Sequence, residues 1–166
     1  MGSNRYKPHL LVLLEDKANR QILNGFLLNY PSSTSNAIQS LGVAGGWKKV
    51  VEKFKDEQVS KMYDYPNRRI VLIIDFDDHE ERLSQIQKEI PNDLQDRVFI
   101  LGTLSEPEKL RTQLNMKFEK IGQALAQDCA DNTQTVWGHP LLKHNESELG
   151  RMVKNVKPFL FNRLGS

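Results

Sequence analysis

Cysteine is nearly missing from this chain: of 166 residues only Cys129 is one, so an intramolecular disulfide is excluded. A lone thiol suits a reducing compartment. Cys129 falls on the apolar stripe of an expected helix, where a free cysteine acts as a small core residue. Long apolar runs are missing too. None approaches the roughly 18 residues that a membrane-spanning helix needs. Met1-Gly2-Ser3-Asn4-Arg5-Tyr6 holds no signal-peptide core, and Tyr6 stands where a myristoylation signal requires Ser or Thr. The expected location is the cytoplasm, with no membrane partner. An excess of one charge is absent as well. Lys and Arg number 23 against 21 Asp and Glu, a net +2, too little for non-specific nucleic-acid binding by bulk charge alone. Internal repeats, low-complexity tracts and a P-loop pattern are also lacking.

What the chain does have is the composition of an ordinary globular domain, 39% apolar and 27% charged, and a length that suits one domain over 1–166. Two short apolar runs each end in acid. Leu10-Leu11-Val12-Leu13-Leu14 stops at Glu15-Asp16, and Ile70-Val71-Leu72-Ile73-Ile74 stops at Asp75-Phe76-Asp77-Asp78. Each has the length and branched-chain content of a strand buried on both faces. Arg97-Val98-Phe99-Ile100-Leu101 is a third such strand, and residues 37–43 hold a weaker candidate.

Between them lie helical patterns. Ile22, Leu23, Phe26 and Leu27 mark a helix over 19–28, and Tyr30 to Asn36 is loop by composition. Gly45-Gly46 opens a helix over 47–62 with Trp47, Val50, Val51 and Phe54 on its apolar stripe. Leu83, Ile86 and Ile90 mark a helix over 79–90 before Pro91. One long helix is expected from Glu106, with Leu110, Leu114, Phe118, Ile121, Leu125 and Cys129 in line and Pro107 at an early position. Gln134 to Trp137 reads as a short strand. Asn145 or Ser147 is the expected cap of a last helix carrying Leu149, Met152, Val153, Val156 and Leu160. The alternation implies an α/β fold, a mostly parallel sheet of about four strands with helices on both faces.

Ligands of open α/β sheets bind beyond the carboxyl ends of the strands. If the two acid-tipped strands are neighbours, Glu15, Asp75 and Asp77 converge there, with Asp16 and Asp78 beside them. Clustered carboxylates repel, and a hard divalent cation, Mg2+ or Mn2+, is the usual remedy. The competing reading makes Asp77 or Asp78 a helix cap and leaves the other acids solvated. Gly45 and Gly46, ahead of a helix bearing Lys48, Lys49, Lys53 and Lys55, offer backbone N–H groups to a phosphate, or form only a turn. In His139-Pro140-Leu141-Leu142-Lys143-His144, two histidines five apart share no helix face, which argues against zinc. One of these histidines or Lys143 is a candidate for acid–base or transition-state chemistry, and the competing reading is a loop with hydrogen-bonded histidines. Glu106 and Glu108 suit the first turn of a helix.

Glu15 after one strand and Asp75-x-Asp77 after a later one resemble the Toprim domain of topoisomerases, bacterial primases, recombination proteins and overcoming-lysogenization-type nucleases. The resemblance covers about residues 9–105. It implies a Toprim-like, Rossmann-like fold, Glu15 as the acid–base residue, and Asp75 and Asp77 as Mg2+ ligands. It also implies a phosphodiester-processing activity, probed first as a nuclease acting on DNA or RNA. Glu15-Asp16-Lys17-Ala18-Asn19 is similar to the family's Glu-Gly-x-x-Asp, with Asp16 where glycine is common and Asn19 where aspartate is common. No topoisomerase tyrosine domain or primase zinc module accompanies it, and residues 106–166 form a helical part without a counterpart in that family. A homodimer is expected, because one subunit offers little DNA-binding surface.

The segment 13–20 is also similar to the start of a response-regulator receiver domain. That resemblance implies Mg2+ on Glu15 and Asp16, phosphorylation of Asp75, Thr103 as the switch hydroxyl, and Lys157-Pro158-Phe159 as the receiver's Lys-Pro-Phe. The interval from Asp16 to Asp75 is long for a receiver. A non-catalytic, Toprim-derived binding protein is a third reading.

Overall fold

Burial on both faces makes a parallel sheet out of apolar runs, and four such runs form one here. The computed structural model describes residues 7–29 and 37–160. The loop expected over 30–36 and residues 1–6 lie outside them. Strands β1 (His9–Leu14), β2 (Ile38–Val43), β3 (Arg68–Asp75) and β4 (Val98–Thr103) lie in the order β2-β1-β3-β4, all parallel. The chain crosses from β1 out to β2 and then back past β1 to β3. The strand order therefore reverses between β1 and β3, the position where such sheets open a crevice for ligands.

Side-chain alternation splits each apolar run between two cores. Leu10, Val12, Leu14, Val71, Phe99 and Leu101 face one way. They pack on helices α1 (Lys17–Leu27), α5 (Pro107–Leu114), α6 (Phe118–Asp131) and α7 (Glu146–Val156). Leu11, Leu13, Ile70, Leu72, Ile74 and Ile100 face the other way, onto α2 (Trp47–Lys53), α3 (Val59–Asp64) and α4 (Arg82–Gln87). Full burial of each such side chain is worth about 1.5–3 kcal/mol. The helices thus cover both faces, as the strand–helix alternation implied. Among the described residues no helix is long and apolar enough to cross a membrane.

Several elements differ from expectation for local reasons. The helix expected over 47–62 runs to Asp64 but carries a π turn, Phe54–Gln58, between α2 and α3. That turn buries Phe54 and Gln58, and Gln58 accepts a hydrogen bond from Arg68 Nη1 at 3.1 Å. The helix expected over 79–90 shortens to α4. The long helix expected from Glu106 is two. Asn115 adopts a left-handed conformation (φ 52°), and the Asn115 and Met116 N–H groups bond the Thr112 and Arg111 carbonyls, a Schellman end.

The strand expected over Gln134–Trp137 is a turn wrapped on one buried carboxylate. Asp128 accepts the N–H groups of Thr135, Val136 and Trp137 and the hydroxyls of Thr133 and Thr135. Burial pushes the Asp128 pKa up, but these hydrogen bonds outweigh it and hold the group below its ordinary range. A depressed carboxyl adds stability above its unfolded-state pKa and loses it as pH falls through the folded value.

Asn145 does not cap α7 with its side chain. It donates to the Gly102 carbonyl at 2.8 Å and accepts the Gly102 N–H at 3.0 Å, along the free edge of β4. One and two turns on, Glu148 accepts the Ile100 N–H and Arg151 donates to the Val98 carbonyl. Side chains at i, i+3 and i+6 thus stand in for a fifth strand and close an edge that would otherwise invite strand addition. Asn145→Ala leaves both Gly102 groups unpaired. It should lower the unfolding free energy by about 2–3 kcal/mol in urea melts. A loss below about 0.5 kcal/mol would show that water replaces the side chain.

Candidate site at the carboxyl ends of β1 and β3

Parallel pairing of β1 with β3 brings the two acid-tipped runs side by side. The Asp75 N–H donates to Glu15 Oε2 at 2.5 Å, and the Glu15 N–H donates to the Ile73 carbonyl at 3.0 Å. Asp16 caps α1 through a reciprocal box with Asn19, each side chain accepting the other's backbone N–H at 3.1 Å. The box turns Asn19, itself buried, so that its amide donates to Asp75 Oδ1 at 3.4 Å. The two positions where this segment departs from the Glu-Gly-x-x-Asp pattern are thus a helix cap and a neutral donor to Asp75.

Asp75 is 7% exposed. Burial, then the charges of Asp16 and Glu15, push its carboxyl up to about 8, against the pull of the Asn19 hydrogen bond. Burial also raises Glu15, with Asp16 and Asp77 adding to the rise and the Asp75 N–H and Arg82 opposing it. These acids stand together with the Arg82 guanidinium paired to one of them, and their oxygens are donors of the kind that a hard divalent cation prefers. Among the described residues no three His, Cys, Asp or Glu side chains are already grouped as metal ligands. Glu15 is turned to a backbone N–H and Asp77 to an arginine.

Beyond Asp75 the backbone is strained. Asp77 (φ 50°) and Asp78 (φ 62°) are both left-handed, which costs on the order of 1 kcal/mol or more each. The Phe76 and Asp78 N–H groups hold the turn by bonding the Thr103 and Leu104 carbonyls at 2.9 and 2.6 Å. Neither aspartate caps α4, whose N-terminal flank is Glu81. Asp77 instead pairs with Arg82, Oδ2 to Nη1 at 2.9 Å, and the same nitrogen donates to the Asp75 carbonyl at 2.8 Å. The Arg82 guanidinium lies over the Trp47 ring at 4.6 Å, and Lys48 Nζ lies 5.7 Å from that ring's centre. The glycine turn meets the same edge, because the Gly45 N–H bonds the Glu15 carbonyl at 2.8 Å. Gly45 (φ 89°) and Gly46 (φ 146°) adopt conformations that side chains disfavour.

No family model, curated protein or solved structure matches this chain. The site therefore stands on its own geometry.

Glu15, Asp16, Asp75, Asp77, Gly45, Gly46 and Lys48 are brought to one edge. Asp78 is exposed and contributes its backbone to the turn. Lys53 and Lys55 have other partners, the Leu41 carbonyl and Glu89. Lys143 is exposed on a short turn after Leu142, and no hydrogen bond or ion pair links it to the carboxylates. His139 Nδ1 accepts the Leu141 N–H. His144 packs edge-on to Phe76 at 4.9 Å. Its ring nitrogens are buried without a hydrogen bond of good geometry. Burial lowers its pKa, against the nearby Gly102 carbonyl and the charge of Glu80. Thr103 is in register with Asp75 and donates to the Ser105 carbonyl. Lys157 is exposed just after α7.

Arg82, Trp47 and the role of Asn19 were not read from sequence. Arg82 sits five residues past Asp77, beyond the turn whose two left-handed residues fold it back. Trp47 opens a helix directly after Gly-Gly, a placement that could have marked it as an edge residue rather than plain core.

Proposed function

We propose that this protein is a Toprim-like, Mg2+-dependent phosphodiester-processing protein, a nuclease acting on DNA or RNA. The observation that supports it most is the meeting of Glu15 and Asp75 where the strand order reverses, with Asp77 one strained turn away. Asp75 and Asp77 are the proposed ligands, with Glu15 beside them. When bound there, Mg2+ would neutralise phosphate charge and stabilise the leaving oxygen.

The chain's own residues account for the rest. Glu15, its pKa raised by burial, holds and releases a proton closer to neutral pH than an exposed glutamate does, which suits a general acid–base. Gly45, Gly46 and Lys48 border the carboxylates and are the proposed phosphate contacts. Asn19 donates to Asp75 without adding another negative charge.

The test is nicking of supercoiled plasmid, and cleavage of DNA and RNA oligonucleotides, with Mg2+ or Mn2+. Activity is expected only with the cation, and it should fall at least about 100-fold in Asp75→Ala/Asp77→Ala. Cleavage that survives in that variant would overturn the assignment.

One observation favours a receiver-like reading, the register of Thr103 with Asp75. Lys157, placed after α7 rather than on a strand beside the site, gives it no support. Acetyl phosphate with Mg2+ should then leave an acid-labile phosphate on Asp75, and a mass spectrum without one would end that reading.

A further inference from the structure

We propose that Arg82 is a substrate-binding residue that exchanges partners: it neutralises Asp77 while no cation is bound, and turns to a phosphate oxygen when a divalent cation takes Asp77. The inference rests on the phosphodiesterase reading and names the group that holds the substrate's anion.

A single nitrogen of Arg82 does all the present bonding. Nη1 reaches both the Asp75 carbonyl and Asp77 Oδ2, while Nε and Nη2 make no hydrogen bond among the described residues. Three N–H donors are thus unused on a guanidinium whose planar fork fits a phosphate. The side chain is only 11% exposed, and its guanidinium carbon lies 4.6 Å from the centre of the Trp47 ring. A guanidinium held over an aromatic ring by a cation–π contact can still offer its N–H donors to an anion.

The partner it would leave is weakly held. Asp77 is 55% exposed, so water competes for its carboxylate and weakens its hold on the arginine. A divalent cation carries twice the charge of arginine and prefers the same oxygens. With Asp77 taken, the bond to the Asp75 carbonyl still anchors Arg82 beside the site. Lys48, on the same indole, adds a second cation.

Exchange makes a prediction that a scaffolding role does not: removing the guanidinium should help the cation and harm the anion. Mn2+ and Mg2+ are titrated by calorimetry into wild type, Arg82→Gln and Arg82→Lys, each checked for a wild-type melt. Inorganic phosphate is then titrated into the cation-loaded proteins, with Trp47 fluorescence as a second readout. Arg82→Gln should bind the cation about three- to tenfold more tightly and phosphate at least about tenfold more weakly. Arg82→Lys should recover only part of the phosphate affinity, since it keeps the charge and loses the fork. If cation and phosphate affinities fall together, or phosphate affinity is unchanged in Arg82→Gln, the exchange is overturned and the metal site stands. If wild type binds neither cation, the phosphodiesterase reading and the exchange both fall.

Discussion

Replacing Gly122 with alanine is expected to destabilise the protein by about 3 kcal/mol, and Gly25→Ala by a similar amount. Helices α1 and α6 touch through these two buried glycines. A Cβ on Gly122 would lie 1.9 Å from the Ile22 carbonyl oxygen and 2.6 Å from the Phe26 nitrogen. One on Gly25 would lie 1.9 Å from the Glu119 carbonyl oxygen. The obstacles are backbone atoms, so no rotamer change relieves the clash and the helices must part. Intrinsic propensity pulls the other way, because alanine favours a helix over glycine by about 1 kcal/mol. A net loss therefore measures the contact itself. Urea midpoints and thermal melts should show it, at about 2–4 °C for each kcal/mol in a chain of this size. A midpoint equal to wild type would mean that the helices do not lie this close. Retreat of α1 would also reach the site, since Asn19 near its start is what positions Asp75.

The strands were legible because burial on both faces leaves a mark that survives without context. Leu10–Leu14 and Ile70–Ile74 are unbroken apolar runs for that reason. β2 reads more weakly because it lies at the sheet edge, where a half-exposed position accepts Gln39 and an exposed one Ser40. Strand order is another matter. That β1 neighbours β3 follows from where the crossovers pack, so the convergence of Glu15 and Asp75 stayed conditional until the pairing was known. The break between α5 and α6 is invisible to periodicity, because Leu110, Leu114, Phe118 and Ile121 keep helical spacing straight across Asn115. The turn over 134–137 looked like a strand because Thr135, Val136 and Trp137 are strand-favouring residues, but their N–H groups go to Asp128, a partner whose role no local pattern encodes. Arg82 was illegible for the same kind of reason: its contacts depend on two left-handed aspartates reversing the chain.

Asp75→Asn should make the protein more stable near pH 8 while abolishing divalent-cation binding at the proposed site. The sign follows from the direction of the shift. The Asp75 carboxyl is raised from 3.8 to about 8 on folding, mainly by burial and then by Asp16 and Glu15. Between those values the folded state keeps a proton that the unfolded chain has released. Stability therefore falls as pH rises through that window, and the cost is complete only above about 8. An asparagine carries no charge to desolvate and escapes the loss. The variant should match wild type near pH 4 and exceed it at pH 8 by on the order of 2 kcal/mol. Mg2+ at pH 8 should raise the melting temperature of wild type alone. Below pH 8 its binding should release a proton, seen as a calorimetric heat that changes with the ionisation enthalpy of the buffer. If Asp75→Asn is less stable than wild type at pH 4 and at pH 8 alike, the carboxylate is a satisfied structural group, and the argument for a cation there fails. If the curves part as the pH rises, the fold gives up stability to keep a buried carboxylate at the end of β3 among other acids. A stability cost of that kind is what a binding or catalytic site imposes on its scaffold.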